Sequence, residues 1–125
     1  MFTALLQVAL GGALGASARY LTGIAITRAV GHGFPVAIMV TNVLGSFLMG
    51  VLVVVLAKKG GTAYAPLLMT GLLGGFTTFS AFSLDALTLF ERGQVTAAAG
   101  YVLGSVVFSL IAIVLGVWIA RMVLA

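Results

Sequence analysis

The chain alternates long apolar runs with short polar or glycine-rich breaks. The first run extends roughly from Ala4 to Ala29, the second from Val36 to Ala57, the third from Ala65 to Phe90 and the fourth from Val95 to Val123. Each has room for the about 20 apolar residues that carry a helix across a hydrocarbon core. Gly31-His32-Gly33-Phe34-Pro35, Lys58-Lys59-Gly60-Gly61 and the turn at Glu91-Arg92 separate them. The pattern predicts an all-α membrane protein: one transmembrane domain, residues 1–125, with four spans joined by short loops.

The third run departs from this pattern. Within Gly71-Leu72-Leu73-Gly74-Gly75-Phe76-Thr77-Thr78-Phe79-Ser80-Ala81-Phe82-Ser83 it collects three glycines, two threonines, two serines and three phenylalanines. Lipid offers no partner to backbone N–H and C=O groups, so irregular backbone at that depth persists only inside protein or along a wet cavity. The third helix is therefore expected to break mid-membrane, with a site built around the break. Phe76, Phe79 and Phe82 fall at i, i+3 and i+6 and form one slowly drifting stripe. Such a stripe serves packing or, through its positive ring edges, weak solvation of an anion. Thr77, Thr78, Ser80 and Ser83 add hydroxyl donors.

The other spans carry few polar groups, and each has two readings. Arg19 lies deep in the first span, where insertion costs about 2.5–3.5 kcal/mol. It is either a fixed charge that draws anions or braces the helix break, or a structural group paired with carbonyls or Asp85. Asn42 in the second span is either interhelical glue or an amide donor to a permeating anion. Tyr101, Ser105 and Ser109 recur every four residues along one face of the fourth span, as a polar track or as hydroxyls bonded back to their own helix. Gly11/Gly15 and Gly100/Gly104 are G-x-x-x-G pairs suited to close helix approach. Trp118 suits an interfacial anchor and His32 a loop.

Composition narrows the class. Of 125 residues, 62% are hydrophobic and 6% charged, against about 25% charged in soluble domains. The chain therefore belongs in a lipid bilayer, in a cell membrane crossed several times. The net charge of +4 is spread over six isolated or paired cations, which form no basic face and argue against a nucleic-acid partner. Cysteine is absent, which excludes disulfides and thiol chemistry, and the single histidine, His32, argues against a histidine-rich metal site. Ala16-Ser17-Ala18 resembles a signal-cleavage site, but no basic segment precedes it, and the region is read as mature protein. With four spans, Lys58, Lys59 and Arg121 fall on one side of the membrane and Arg28 and Arg92 on the other. So small a bias predicts insertion in both orientations and an antiparallel dimer.

The intramembrane polar set is mostly donors: Arg19, Asn42, Thr77, Thr78, Ser80, Ser83, Tyr101, Ser105 and Ser109, with Asp85 the single carboxylate in a span. Cation and proton pathways usually carry carboxylates or histidines; this set favours an anion. No nucleophile–base pair or zinc-type spacing is present, so an enzyme is not expected.

These residues carry a resemblance. Gly74-Gly75-Phe76-Thr77-Thr78-Phe79-Ser80-Ala81-Phe82-Ser83 resembles the signature of the Fluc (CrcB-type) fluoride channels. So do Gly11-Gly12-Ala13-Leu14-Gly15-Ala16 leading to Arg19-Tyr20, Thr41-Asn42 with Leu44-Gly45-Ser46, and Tyr101 with Ser105 and Ser109. The match runs through all four spans in order. It implies a dual-topology antiparallel homodimer in the inner or plasma membrane, conducting fluoride passively out of the cytoplasm. It implies a fluoride pathway of Asn42, Thr78, Phe79, Ser80, Phe82, Tyr101, Ser105 and Ser109, with Arg19 near the aqueous vestibule. It further implies a structural sodium ion on the backbone carbonyls of Gly74 and Thr77. The alternative is an antiparallel small multidrug-type transporter of cationic compounds, which would need an embedded carboxylate that the first span lacks.

Overall fold

Apolar runs free of polar interruption become long helices, because in hydrocarbon the backbone must satisfy itself. In the computed structural model, which describes residues 1–125, α1 (Phe2–Val30) and α2 (Val36–Lys59) are continuous. The third run is composite. A 3-10 turn (Thr62–Tyr64) leads into a π-helical segment (Pro66–Leu73), a short α3 (Gly74–Phe76) and then α4 (Phe79–Glu91). The last helix, α5 (Val95–Val123), is again continuous. Gly60, at φ 73°, ends α2 in the left-handed conformation open to glycine.

Three helical stretches are long and apolar enough to cross a membrane: Val36–Lys59, Thr62–Glu91 and Val95–Val123. The chain is thus a multi-pass, all-helical membrane protein. The first helix differs from the expectation in one respect. Its 29 residues give it the length, about 43 Å, but two arginines, Gln7 and four glycines dilute its hydropathy.

The expected break is present and centred on two residues. Thr77 (φ −91°, ψ 158°) and Thr78 (φ −154°, ψ 128°) are extended, separating α3 from α4. β-Branched side chains favour this conformation over helix. Upstream, the Gly74 N–H reaches the Met69 carbonyl five residues back, the π spacing. That widened turn follows Pro66, which has no N–H to give.

Glycines set where the helices touch. A Cβ at Gly15 would meet the Phe76 nitrogen at 2.9 Å, and one at Gly75 the Gly12 carbonyl oxygen at 2.8 Å, so α1 lies backbone to backbone against the π segment and α3. The α2–α5 crossing is made instead by Gly50, against Val117, and Gly116, against Val51. Of the fourth-span pair, Gly100 faces open space and Gly104 meets only flexible side chains of Met39 and Phe108. The α2–α5 approach thus falls in the half of α5 away from that motif. Phe82, Leu89, Ala98 and Tyr101 form a small core under α4 and α5. Only 18 of 125 residues are buried, so most large apolar side chains look outward, as a bilayer requires.

Candidate functional site

The break exposes peptide groups, and a neighbouring helix meets them. Asn42 on α2 places its side-chain amide against Thr78 in both directions. The Thr78 N–H donates to Asn42 Oδ1 at 2.8 Å, and Asn42 Nδ2 donates to the Thr78 carbonyl at 3.0 Å. One Nδ2–H of Asn42 is left over. One turn along α2, Gly45 leaves the space that the Thr77 methyl fills. Thr78 also starts α4, its Oγ1 accepting from the Ala81 N–H at 3.2 Å as an N-cap. Thr77 Oγ1 bonds back to the Leu73 carbonyl at 2.9 Å.

Two carbonyls are left without donors. In an unbroken helix the Gly74 oxygen would receive the Thr78 N–H, and the Thr77 oxygen the Ala81 N–H. Both donors are spent elsewhere, on Asn42 and on the Thr78 hydroxyl, and no other backbone or side-chain donor replaces them. Gly74 lies on the surface of the chain and Thr77 is half-buried.

Beside the break, α2, α4 and α5 enclose a cleft of about 390 Å³. Asn42, Thr78, Phe79, Phe82, Ser105 and Ser109 line it together with Gly45, Ser46 and Met49. Six of the expected pathway residues therefore converge from three helices. Ser105 is 4% exposed, and its hydroxyl has no hydrogen-bond partner. A buried hydroxyl left unpaired costs about 1–3 kcal/mol, and this one borders the cleft. Phe82 is 7% exposed and packs between Phe79 and Tyr101, with ring centroids 5.4 and 5.1 Å away. Phe79, in contrast, is 77% exposed on the single chain.

The remaining expected residues lie outside this cleft. Tyr101 is fully buried behind Phe82 and donates its hydroxyl to Asp85 at 3.2 Å. Ser80 is exposed, its hydroxyl 3.2 Å from that of Thr78. Arg19 donates Nε–H to the Gly75 carbonyl at 3.1 Å. It therefore braces the turn before the break, through a carbonyl and not through Asp85. Arg19 lines a second, larger cleft of about 710 Å³ with Arg28, His32, Asp85 and Arg92. Gly45, Ser46 and Met49 line the cleft without being among the expected pathway residues. Their signal was in the sequence, because Gly45 and Ser46 follow Asn42 at i+3 and i+4 and so share its face.

The family model described as CrcB-like protein, Camphor Resistance (CrcB), matches residues 6–117. The chain belongs to the CrcB family. A CrcB relative from Cereibacter sphaeroides (strain ATCC 17029 / ATH 2.4.9) is 65% identical over 121 residues, covering 97% of each chain. A second, from Ruegeria sp. (strain TM1040), is 56% identical over 125 residues and 99% of each. A third, from Paracoccus denitrificans (strain Pd 1222), is 54% identical over 116 residues and 93% of each. All three are named fluoride-specific ion channel FluC. The matched stretch, residues 6–117, spans the helix break and the residues that line the cleft.

Proposed function

We propose that this protein is a fluoride-selective channel that lets fluoride leave the cytoplasm passively and so limits fluoride toxicity. The observation that carries the reading is the cleft beside the break. It gathers an unpaired buried hydroxyl (Ser105), a spare amide N–H (Asn42) and two phenyl rings (Phe79, Phe82). Fluoride is small and tightly hydrated. Its pathway must replace water with donors yet hold the ion loosely enough to release it. Hydroxyl, amide and ring edges do this without a cationic trap, and Arg19 stands apart, at the other cleft. Ser109 extends the donors along α5, while Tyr101 backs Phe82. Thr78 and Ser80 present hydroxyls at the start of α4.

The working unit is an antiparallel homodimer of four-span chains in the inner membrane. The near balance of cations on the two sides supports dual insertion. The exposure of Phe79 on the single chain supports a second copy completing each pathway. The Gly74 and Thr77 carbonyls fit a structural sodium ion, since hard cations seek several oxygens and these two have no donors. Two oxygens are too few for such an ion, and the second copy of the chain would supply the rest. An ion held there would offset the exposed dipoles of these carbonyls.

Purified protein in liposomes tests the function. Fluoride efflux recorded with a fluoride electrode, without an imposed proton gradient and without matching chloride efflux, is the expected result. Inertness, or proton-coupled movement of a cationic compound, overturns it.

A further inference from the structure

The Asn42–Thr78 pair does something that the anion cleft alone does not require. It keeps the Gly74 and Thr77 carbonyls free. An N–H four residues on is the ordinary partner of each. At Gly74 that partner, the Thr78 N–H, is diverted 2.8 Å to Asn42 Oδ1. At Thr77 it is the Ala81 N–H, diverted 3.2 Å to the Thr78 hydroxyl. The second Asn42 bond, from Nδ2 to the Thr78 carbonyl at 3.0 Å, clamps the same residue from its other end. Thr78 therefore cannot rotate back toward helix without losing two bonds to α2. Its extended conformation, φ −154° and ψ 128°, is what the clamp holds.

We propose that Asn42 and Thr78 are positioning residues for the cation site, and that the site therefore shares a mechanical part with the anion cleft. This rests on reading the Gly74 and Thr77 carbonyls as the sodium site. Asn42 and Thr78 are not among the ligands in this reading. They act by withholding the two N–H groups that would otherwise cap its ligands. Asn42 and Thr78 also line the cleft, so whatever loosens the clamp disturbs both sites. Coupling is reciprocal: sodium at the carbonyls would stabilise the extended Thr77–Thr78 conformation, and with it the placing of Phe79 at the head of α4.

The test measures thermal unfolding of the full-length protein in detergent against sodium concentration, with N-methylglucamine as the replacement cation. Asn42→Ala releases the Thr78 N–H, and Thr78→Val releases the Ala81 N–H. Each is expected to raise the sodium concentration for half-maximal stabilisation about tenfold, the scale of one hydrogen bond. Thr78→Ser keeps the capping oxygen and is expected to stay near wild type, as a rescue that loss of packing alone would not produce. A sodium midpoint unchanged in both Asn42→Ala and Thr78→Val, beside a sodium-dependent wild type, overturns the inference. So does a Thr78→Ser midpoint shifted as far as that of Thr78→Val. A wild type indifferent to sodium removes the carbonyl site itself, a distinct failure. If Asn42→Ala does not fold, the Thr78→Val and Thr78→Ser comparison carries the test.

Discussion

Phe79 and Phe82 allow an ion-handling role to be separated from a packing role, because the chain buries them so differently. Phe82 is 7% exposed and has two aromatic neighbours, Tyr101 at 5.1 Å and Phe79 at 5.4 Å, both within the range of favourable ring pairs. Isoleucine in its place forfeits two such contacts at about 0.5–1.5 kcal/mol each, so Phe82→Ile should cost about 1–3 kcal/mol of stability. Phe79 is 77% exposed on the single chain and has only the one pair, so Phe79→Ile should cost about half as much or less. If the rings serve packing, loss of flux should follow this order, and Phe79→Ile should conduct nearly as well as wild type. If their edges meet the anion, both variants should lose at least about tenfold in flux, the effect of about 1.4 kcal/mol on the barrier. The second outcome is expected. The assay pairs fluoride efflux from liposomes with thermal unfolding of the same preparations. Flux that survives in Phe79→Ile and falls in Phe82→Ile only in step with its melting temperature would sink the pathway role of the rings.

The backbone contact between α1 and the broken span gives a second expectation. Gly15→Val should destabilise the protein by about 1–3 kcal/mol or more, since its Cβ would press on the backbone of α3 at Phe76. Gly23→Ala, with nothing within 4 Å, should be neutral or raise the melting temperature; equal losses in the two would refute the close crossing. Tyr101→Phe keeps its ring contacts with Phe34 and Phe82 but removes the hydroxyl that bonds Asp85. It should cost about 0.5–1.5 kcal/mol in unfolding measurements and reduce efflux only partially. Abolished efflux at unchanged stability would place the hydroxyl in the pathway itself.

Helix length and number, the broken span and the anion-favouring chemistry were legible in the residues because each follows from a one-dimensional rule. Lipid forbids unpaired backbone, so long apolar runs must be helices. A cluster of glycines, threonines and serines inside such a run therefore marks where the helix stops. The two threonines at the centre of the break, Thr77 and Thr78, were in plain view. Partners were not legible, because they depend on which faces meet across three helices. By sequence alone Asn42 fits interhelical glue as well as an ion ligand, with glue the ordinary role of such an amide. Its distance to Thr78 shows that it grips the break, while one N–H remains for the cleft. Arg19 read as a brace or a charged lure, and its bond to the Gly75 carbonyl makes it a brace. The G-x-x-x-G spacing found the Gly11/Gly15 contact but not the Gly50–Gly116 crossing, because those two glycines lie on different helices and share no spacing along the chain. The freedom of the Gly74 and Thr77 carbonyls was likewise a matter of tertiary structure. A carbonyl is left open only when its donor has somewhere better to go, and here one of the two diversions comes from a helix 36 residues away.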